Sequence, residues 1–282
     1  MEKISVIIVN WNVAKSFARC VKSVLSTGYF NLELILIDNA SNSEPSIPKD
    51  KRIIFIQHNS NIGLPRAWNQ GLQKATGEFI LILNPDTVIP PDFFAEAVQF
   101  IKLHPNVGVM GPKFVNTDGT PQGSVFPEAS IIGAIRQYWL NQGNFIDKYT
   151  PSTTHPLEVN SVSGACMFFP KSTLDTVGLF TEEVFMYFED MDFNRRVRQA
   201  GLKIVYHPGL IILHSHGKSA QQTSSDKYRN FLEILIYPLR KLLNIPNTLP
   251  SAQRYRTEAG IWYNGWLKQL VIAFIIRSGQ KW

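Results

Sequence analysis

The sequence predicts an α/β protein with a largely parallel sheet that carries helices on both faces. Over the first hundred residues, short runs of Val, Ile and Leu alternate with segments whose apolar residues recur at helical spacing, which is the pattern of β-α-β units. The strand-like runs are continuously apolar, as expected for strands that are covered on both faces. A composition of 44% hydrophobic and 18% charged residues over 282 positions excludes a disordered chain or a coiled coil.

The elements of this first half are bounded by clear start and stop signals. Strands are predicted at 4–9, 32–37, 53–57, 78–83 and 108–110, and helices at 13–26, 65–75 and 91–103. The first helix ends before Gly28, and the second has Pro65 in its first turn and Gly77 after its end, positions where these residue types are favoured. Short crossovers of this kind join parallel strands that lie in one sheet.

The second half of the chain is less regular. Residues 116–160 are rich in Gly, Pro, Ser, Thr, Asn and Gln, which predicts long loops around one short helix at 131–140. Apolar segments resume at 159–169 and 180–188, and a helix at 190–200 and two short strands at 203–206 and 210–213 follow. After Ser219 the pattern changes to amphipathic helices at 228–243 and 255–277. We therefore expect one α/β module over residues 1–219 and a helical extension over 220–282.

Polar side chains follow four of the predicted strands at their carboxyl ends. They are Asn10 and Asn12, then Asp38 and Asn39, then Asn59 and Asn61, and finally Asp86. A single Asn or Asp at such a position is about as often a loop or helix cap, but four strands that all end this way favour a ligand site at this edge of the sheet. Neither G-x-G-x-x-G after the first strand nor G-x-x-x-x-G-K-[ST] occurs, which argues against a dinucleotide or P-loop site.

Asp86 and two later histidines are the candidate metal ligands. Asp86 ends Asn84-Pro85-Asp86, directly after a buried strand, and a carboxylate there can hold a divalent cation that bridges the oxygens of a diphosphate. One carboxylate is too few for a site, so His214 and His216 are candidates for the other ligands, although either alone would more often be an ordinary surface or packed residue. Lys218 would suit a phosphate-lined pocket.

Glu189, Asp190 and Asp192 open the helix predicted at 190–200. Acids at a helix N-terminus are favoured by the helix dipole, which is the structural interpretation. The aromatic residues immediately before them leave the carboxylates partly dry, however, and in such surroundings a carboxylate can be tuned as a general base. The local pattern favours a catalytic role and leaves the structural one open.

At this point the motifs resemble a known family, the family 2 glycosyltransferases with a GT-A fold, and most closely its bacterial rhamnosyltransferase-like branch. The matching segments are 5–12 (SVIIVNWN), 37–41 (IDNAS), 59–63 (NSNIG), 83–86 (LNPD), 162–167 (VSGACM), 177–180 (VGLF), 185–192 (FMYFEDMD) and 214–219 (HSHGKS). Each segment is weak alone, but eight in the right order over residues 4–219 make a specific resemblance.

The resemblance implies inverting transfer of a sugar from a nucleotide diphosphate donor to a hydroxyl of a glycan or lipid-linked glycan acceptor. It favours rhamnose from dTDP-rhamnose, with UDP sugars as the alternative donors. It also implies a Rossmann-like nucleotide-sugar-binding part over about 1–115, and an acceptor-binding and catalytic part over 116–219. The sequence-based alternative within this family is a catalytically weak nucleotide-sugar-binding assembly subunit.

By the same resemblance, one group of residues would bind the donor. Its members are Val9, Asn10, Asn12, Asp38, Asn61, Arg66, Asn69, Asn84, Asp86 and Lys218. Asp38 would contact the nucleotide base, and Asn61 and the helix after it would lie near the ribose and diphosphate. Asn84 stands where the family has the first acid of its Asp-x-Asp motif, so the site would carry one negative charge fewer.

A second group would carry the chemistry. Asp86 and His214, with His216 as the fallback, would hold a divalent metal, Mg²⁺ or Mn²⁺. Asp190 would deprotonate the acceptor hydroxyl, with Glu189 beside it. The acceptor contacts would include Gly164, Ala165 and Tyr187.

Two further classes fit the sequence less well. A sugar-1-phosphate nucleotidyltransferase needs a Gly-rich loop bearing Arg and Lys after the first strand, and residues 10–14 (NWNVA) offer none. A nucleic-acid partner is disfavoured because acids, not bases, gather at the strand ends.

The basic excess of the chain lies in its tail. The formal net charge is +6; residues 1–217 carry 18 Lys and Arg against 19 Asp and Glu, whereas residues 218–282 carry 10 against 3. Trp262, Trp266, Leu270 and Ala273 share one helical face there, a pattern typical of a helix that lies on an anionic membrane. Packing on the core or on a second subunit of a homodimer explains the pattern equally well.

Compartment signals are few. Cys20 and Cys166 are predicted to be buried free thiols, which favours a reducing, cytoplasmic location. The N-terminus lacks the pattern of a signal peptide, and no apolar run approaches the ~20 residues of a membrane span. We therefore expect a cytoplasmic enzyme whose tail places it on the inner face of the cytoplasmic membrane.

Overall fold

The computed structural model describes residues 1–128, 136, 142–143, 147–182 and 189–215. Its strands are β1 (Ile4–Asn10), β2 (Leu32–Asp38), β3 (Ile53–Gln57), β4 (Phe79–Leu83), β5 (Thr87–Val88), β6 (Val107–Val115), β7 (Pro121–Gln122), β8 (Val125–Phe126), β9 (Leu157–Glu158), β10 (Ser161–Val162), β11 (Cys166–Pro170) and β12 (Lys203–His214). Its helices are α1 (Ala14–Leu25), α2 (Leu64–Lys74), α3 (Phe93–Leu103), α4 (Ser172–Val177) and α5 (Glu189–Gln199). The predicted helix at 131–140, most of the segment 180–188 and the extension 220–282 lie outside the described residues.

One large mixed sheet organises the described part of the chain. Its strand order is β3-β2-β1-β4-β11-β6-β12-β5, with β7 beside β6 and β9 beside β12. The first four strands in this order are parallel, as predicted. β11 then runs antiparallel between β4 and β6, whereas β6 and β12 are parallel to each other. The parallel half therefore carries the strand ends on which the predicted nucleotide site depends.

Helices cover both faces of this sheet, which confirms the predicted class. Alternate residues of β1 point to opposite sides: Ile8 joins a core cluster with Phe17 of α1 and residues of α3, and Ile7 joins a second cluster with Trp68 of α2 and Phe193 of α5. Every residue of β1, β2 and β4 is buried. This explains why their sequences are continuously apolar and not alternating.

The segment from 203 to 214 differs from the prediction. The two short strands expected there form one strand, β12, whose register against β6 shifts between His207 and Ile211. Pro208 and Gly209 lie at the shift, and since proline has no N–H to donate to a ladder, an irregularity is the usual way a strand accommodates it. The continuous strand carries His214 back to the edge of the sheet where Asp86 lies.

No helix among the described residues is both long enough and apolar enough to cross a membrane. Cys20 and Cys166 are buried and free, as predicted.

Candidate active site

A buried polar cluster joins the carboxyl ends of β1 and β2. Asn10 and Asp38 are direct partners in the parallel ladder, and neither is exposed. The Asn10 amide donates to Asp38 Oδ1 at 2.7 Å, the Ser41 hydroxyl donates to the same oxygen at 2.6 Å, and the Ser41 N–H donates to Oδ2 at 3.1 Å. Asp38 therefore holds the backbone turn that follows β2 in one conformation.

The loops after β1, β2 and β3 are tied to one another by asparagines. Asn12, with φ +58°, donates its N–H to Ser41 Oγ at 2.9 Å. Asn39 donates to Asn61 Oδ1 at 2.8 Å, and Asn61 Oδ1 also accepts the Gly63 N–H at 3.0 Å. Asn10, Asn12, Asp38 and Asn61 thus lie in one connected network, with the end of Val9 beside it. The structure thus brings together four of the residues that the sequence assigned to the donor nucleotide.

Asn69 is an exception among the predicted donor contacts. It is buried within α2; its amide donates to the Phe180 carbonyl and to Glu182 Oε1, each at 2.8 Å, and its oxygen accepts the Phe180 N–H at 3.0 Å. The side chain fastens the 180–182 segment to α2, and its polar atoms are therefore occupied there and do not serve as the predicted donor contact. Arg66 is more than half exposed and lies 3.6 Å from the Glu182 carboxylate.

Asp86 and His214 meet at the edge of the sheet, both almost fully buried. The antiparallel pairing of β5 with β12 sets His214 opposite Thr87, and the Ser215 N–H donates to the Asp86 carbonyl at 2.9 Å. His214 Nε2 lies 3.4 Å from Asp86 Oδ1, an oxygen that is buried and accepts no hydrogen bond among the described residues. The pairing joins residues 128 positions apart, which the family resemblance had assigned to one metal site.

A relay of hydrogen bonds determines which nitrogen of His214 carries its proton. The carboxylate of Asp118 accepts from the Thr120 hydroxyl at 2.6 Å, and Thr120 Oγ1 accepts from the Asn116 amide at 2.9 Å. Asn116 Oδ1 accepts from the Gln122 amide at 2.9 Å, and Gln122 Oε1 lies 2.6 Å from His214 Nδ1. The Asp118 carboxylate can only accept, so the Thr120 hydroxyl must donate to it and can then only accept from Asn116. This fixes the orientation of the Asn116 and Gln122 amides, and Gln122 Oε1 therefore accepts from His214 Nδ1. Neutral His214 therefore carries its proton on Nδ1 and presents a lone pair at Nε2.

This arrangement fits a divalent metal. Asp86 Oδ1 accepts no hydrogen bond among the described residues and lies 3.4 Å from His214 Nε2. This separation suits two ligands on one ion with bonds of about 2.0–2.2 Å. An imidazole ligand favours Mn²⁺ over Mg²⁺, which prefers oxygen. No group of three or more His, Cys, Asp or Glu residues that could hold a metal occurs in the described part of the chain; His216 and Lys218 lie outside it. Phosphate oxygens of the donor would have to supply further ligands.

Asp190 opens α5 and is held by two backbone donors. The Gly164 N–H donates to its Oδ2 and the Met191 N–H to its Oδ1, each at 2.8 Å. A Cβ at position 164 would lie 2.8 Å from the Trp68 ring, so only glycine allows this close approach. Burial raises the pKa of Asp190, whereas Lys148 and the two N–H groups oppose that rise. A buried carboxylate with a raised pKa suits a general base.

The remaining predicted residues lie close by. Glu189 is buried beside Asp190. Ala165 is buried, and its carbonyl accepts the Asn84 N–H at 2.9 Å. Tyr187 lies outside the described residues. The segment 163–165 thus contacts both the loop that carries Asp86 and the helix that carries Asp190.

Sequence reasoning missed two residues here, Lys148 and Gln122. The Lys148 ammonium donates to Ser163 Oγ at 2.9 Å and lies 5.0 Å from the centroid of the Phe126 ring. Burial lowers its pKa, and the carboxylates of nearby acids act in the opposite direction. Both residues come from the polar segment 116–160, where neither periodicity nor a motif distinguishes one side chain from its neighbours.

Comparison with known proteins shows the class. The model of glycosyl transferase family 2 matches residues 5–175, more than half of the chain, so the chain belongs to that family. The match ends before Asp190 and His214. The chain is 25% identical over 217 residues to the low-salt glycan biosynthesis hexosyltransferase Agl10 of Haloferax volcanii (72% of this chain, 64% of that protein). It is 24% identical over 213 residues to the poly-beta-1,6-N-acetyl-D-glucosamine synthase of Staphylococcus aureus (74% and 48%).

Solved structures support the fold. The chain superposes on GalNAc-T7, crystallised with UDP, GalNAc and Mn²⁺, with a TM-score of 0.61 at 18% identity (99% of this chain, 58% of that one). It superposes on S. aureus TarS with a TM-score of 0.54 at 19% identity (84% and 40%). The GT-A fold is confirmed. The chain spans 64% and 48% of the two curated relatives, and neither is named a rhamnosyltransferase, so that branch stays a prediction.

Proposed function

We propose that the protein is an inverting hexosyltransferase that moves a sugar from a nucleotide diphosphate donor to a hydroxyl of a glycan or lipid-linked glycan. The observation that carries this proposal is the segment 163–165. Its Gly164 N–H donates to Asp190 Oδ2 and its Ala165 carbonyl accepts the Asn84 N–H. A candidate base and a candidate metal loop are therefore held by consecutive residues of the turn between β10 and β11.

In the proposed reaction, the acceptor oxygen forms a bond to the anomeric carbon while the bond from that carbon to the diphosphate oxygen breaks. The acceptor proton passes to the carboxylate of Asp190, each oxygen of which accepts one backbone N–H and has a further lone pair. Attack from the side opposite the leaving diphosphate inverts the anomeric centre. General-base assistance of this kind is typically worth ~10²–10⁴ in rate.

Asp86 and His214 would hold the divalent ion, Mn²⁺ in preference to Mg²⁺. When bound, the ion offsets the negative charge that builds on the leaving diphosphate. The network around Asp38 would hold the nucleotide, and Arg66 at the start of α2 would approach the phosphates. Lys218 stays a proposed phosphate contact on sequence grounds.

Two donor classes follow from this proposal. The sequence resemblance favours dTDP-rhamnose, whereas a relative named a hexosyltransferase and a neighbour crystallised with UDP support UDP-hexoses. Both are pyrimidine nucleotide sugars. A panel of dTDP- and UDP-sugars, measured by thermal shift with Mn²⁺ and with Mg²⁺, would distinguish them, because a ligand at 100 times its Kd stabilises a protein by about 2.7 kcal/mol.

The decisive variant is Asp190→Asn. It should lower transfer by at least ~10²-fold and leave donor binding nearly unchanged, because the side chain serves the acceptor and not the nucleotide. Asp192→Asn is the matched control: Asp192 lies in the same first helical turn but pairs with Arg196 at 2.9 Å, and its loss should leave transfer intact. Full activity of Asp190→Asn would show that the base is a different group. Donor binding by the native chain with neither transfer nor donor hydrolysis would favour the assembly-subunit alternative.

We also propose that the basic extension 220–282 holds the enzyme on an anionic membrane. The support is its charge, +7 over residues 218–282, and its Trp-bearing amphipathic pattern. The full chain should sediment with phosphatidylglycerol vesicles but not with phosphatidylcholine vesicles, and salt should release it, because surface electrostatic attraction is screened by ions. Equal sedimentation with both vesicle types would contradict the proposal, and a concentration-dependent dimer without vesicle binding would favour the second-subunit alternative.

A further inference from the structure

Within the part of the chain that the structure describes, Lys148 places a cation near Asp190, and several contacts fix its position. The Gly123 position lies against the backbone of Lys148, where a Cβ would be 2.8 Å from its carbonyl carbon, so glycine lets the two segments approach. The next residue, Tyr149, exchanges backbone hydrogen bonds with Val125 at 2.8 and 3.1 Å. The ammonium then rests near the ring of Phe126, a favourable place for a cation.

Hydrogen bonds to two consecutive residues, Ser163 and Gly164, connect the Lys148 ammonium with the Asp190 carboxylate. Lys148 Nζ donates to Ser163 Oγ at 2.9 Å, and the next residue, Gly164, donates its N–H to Asp190 Oδ2 at 2.8 Å. The same hydroxyl oxygen of Ser163 also accepts the Ala165 N–H at 3.4 Å. Lys148 therefore holds the turn that presents the backbone donor to Asp190.

Among the residues that the structure describes, Lys148 is the main opposite charge that acts on Asp190. Lys148 acts electrostatically on Asp190, Glu189 and Asp86. Other charged or titratable groups on the elements around Asp190 have close partners of their own: Arg66 has Glu182, Asp192 has Arg196, and His214 has Gln122 and Asp86. Glu189, on the same helix, has the same sign as Asp190 and would disfavour its ionisation.

We infer that Lys148 is a positioning residue for Asp190: its ammonium keeps the base ionised and holds the 163–164 turn against the carboxylate. This inference rests on the proposed role of Asp190 as the general base. Because the ionised form of Asp190 is the active one, the rate should rise as pH rises through the pKa of Asp190. Loss of the ammonium removes a favourable charge, raises that pKa, and moves the acidic limb of the pH–rate profile to higher pH. The burial that raises the pKa of Asp190 makes the base dependent on such a neighbour.

The test compares the pH dependence of kcat/KM for the native enzyme with three variants. Lys148→Met removes charge and hydrogen bond, Lys148→Gln keeps a donor for Ser163 without the charge, and Lys148→Arg keeps the charge. The acidic limb should move up by about one pH unit in the Met and Gln variants and return in the Arg variant, since an opposite charge near a carboxylate lowers its pKa by roughly 1–3 units. Lys203→Met, which removes a surface lysine paired with Glu158 at 2.9 Å, is the control and should move nothing.

A uniform fall in rate at every pH, with the limb unmoved in both neutral variants, would overturn the inference. If Lys148→Met does not fold, Lys148→Gln alone decides, because it preserves the contact with Ser163. The proposal that Asp190 is the general base fails separately, because full activity of Asp190→Asn would show that Asp190 is not the base. An inactive Asp190→Asn variant, together with an unmoved acidic limb in Lys148→Gln, would overturn only the role of Lys148.

Discussion

A buried carboxylate at the opposite, amino-terminal end of the sheet makes stability depend on pH. Glu33 of β2 is 7% exposed and accepts hydrogen bonds from Ser5 Oγ at 2.5 Å and from the Thr76 N–H and hydroxyl at 2.6 and 2.8 Å. The Lys3 ammonium lies 2.7 Å from Glu33 Oε2, the oxygen that also accepts the Thr76 hydroxyl. Burial raises the pKa of Glu33, but Lys3 and the three hydrogen bonds outweigh it and lower the pKa from 4.5 to about 2.

The magnitude follows from this displacement. A pKa change of one unit corresponds to about 1.4 kcal/mol, so the ionised form of Glu33 contributes up to about 3 kcal/mol to the free energy of unfolding. Because the folded-state pKa is the lower one, the unfolded chain binds the proton more readily. The contribution is therefore complete above pH 4.5 and is lost as the pH falls from about 4.5 to about 2. Glu33→Gln should cost about 3 kcal/mol at neutral pH and progressively less in acid.

Urea unfolding of the native protein and of Glu33→Gln at a series of pH values measures this difference in the free energy of unfolding. Asp50→Asn is the control: Arg52 also lowers the pKa of Asp50 to about 2, but that pair lies at the surface and its loss should change stability little. A Glu33→Gln penalty that stays constant from neutral to acid pH would refute the reasoning, because it would show that shape and not charge supplies the stabilisation.

Two further predictions concern the site. Gln122→Ala should weaken Mn²⁺ binding by about 10–100-fold, because His214 loses the acceptor that orients its ring; an unchanged Kd in a Mn²⁺ titration followed by electron paramagnetic resonance would contradict this. Gly164→Ala should lower kcat by roughly 10²-fold, because a Cβ 2.8 Å from the buried Trp68 ring forces Asp190 to shift. If Gly164→Ala keeps native activity and an unchanged melting temperature, the turn at 163–165 can accommodate a Cβ and this reasoning is wrong.

The parallel half of the fold could be predicted almost residue by residue. The strands expected at 4–9, 32–37 and 53–57 lie within one residue of β1, β2 and β3. Their signal is local, since each is a short apolar run followed by a polar residue at the sheet edge. Asp38, Asp86 and Asp190 were found for the same reason, because each follows or opens an element at a recognisable motif.

The antiparallel half could not be predicted in this way. β11 pairs with β4 although the two strands are more than eighty residues apart in the sequence. The pairing is antiparallel, whereas the β-α-β pattern of the first half predicts a further parallel strand at this place in the sheet. Phe168 of β11 packs on Phe79 and Phe93, with ring centroids 5.4 and 6.4 Å apart, and these are long-range contacts that no local pattern records. Asn69 shows the same limit at the site: its helix was predicted correctly, yet its amide is used by residues 180–182.

By itself, the sequence determined the α/β class, the strand ends that carry polar residues and the candidates Asp86, His214 and Asp190, because these follow from local periodicity and short motifs. Only the tertiary structure decided three relations. His214 lies against Asp86, Gln122 orients the His214 ring, and Lys148 acts electrostatically on Asp190. These relations join residues from about 40 to 130 positions apart. Their physical basis is the placement of an irregular polar segment against the sheet edge, where burial makes each unpaired charge costly and so requires a specific partner.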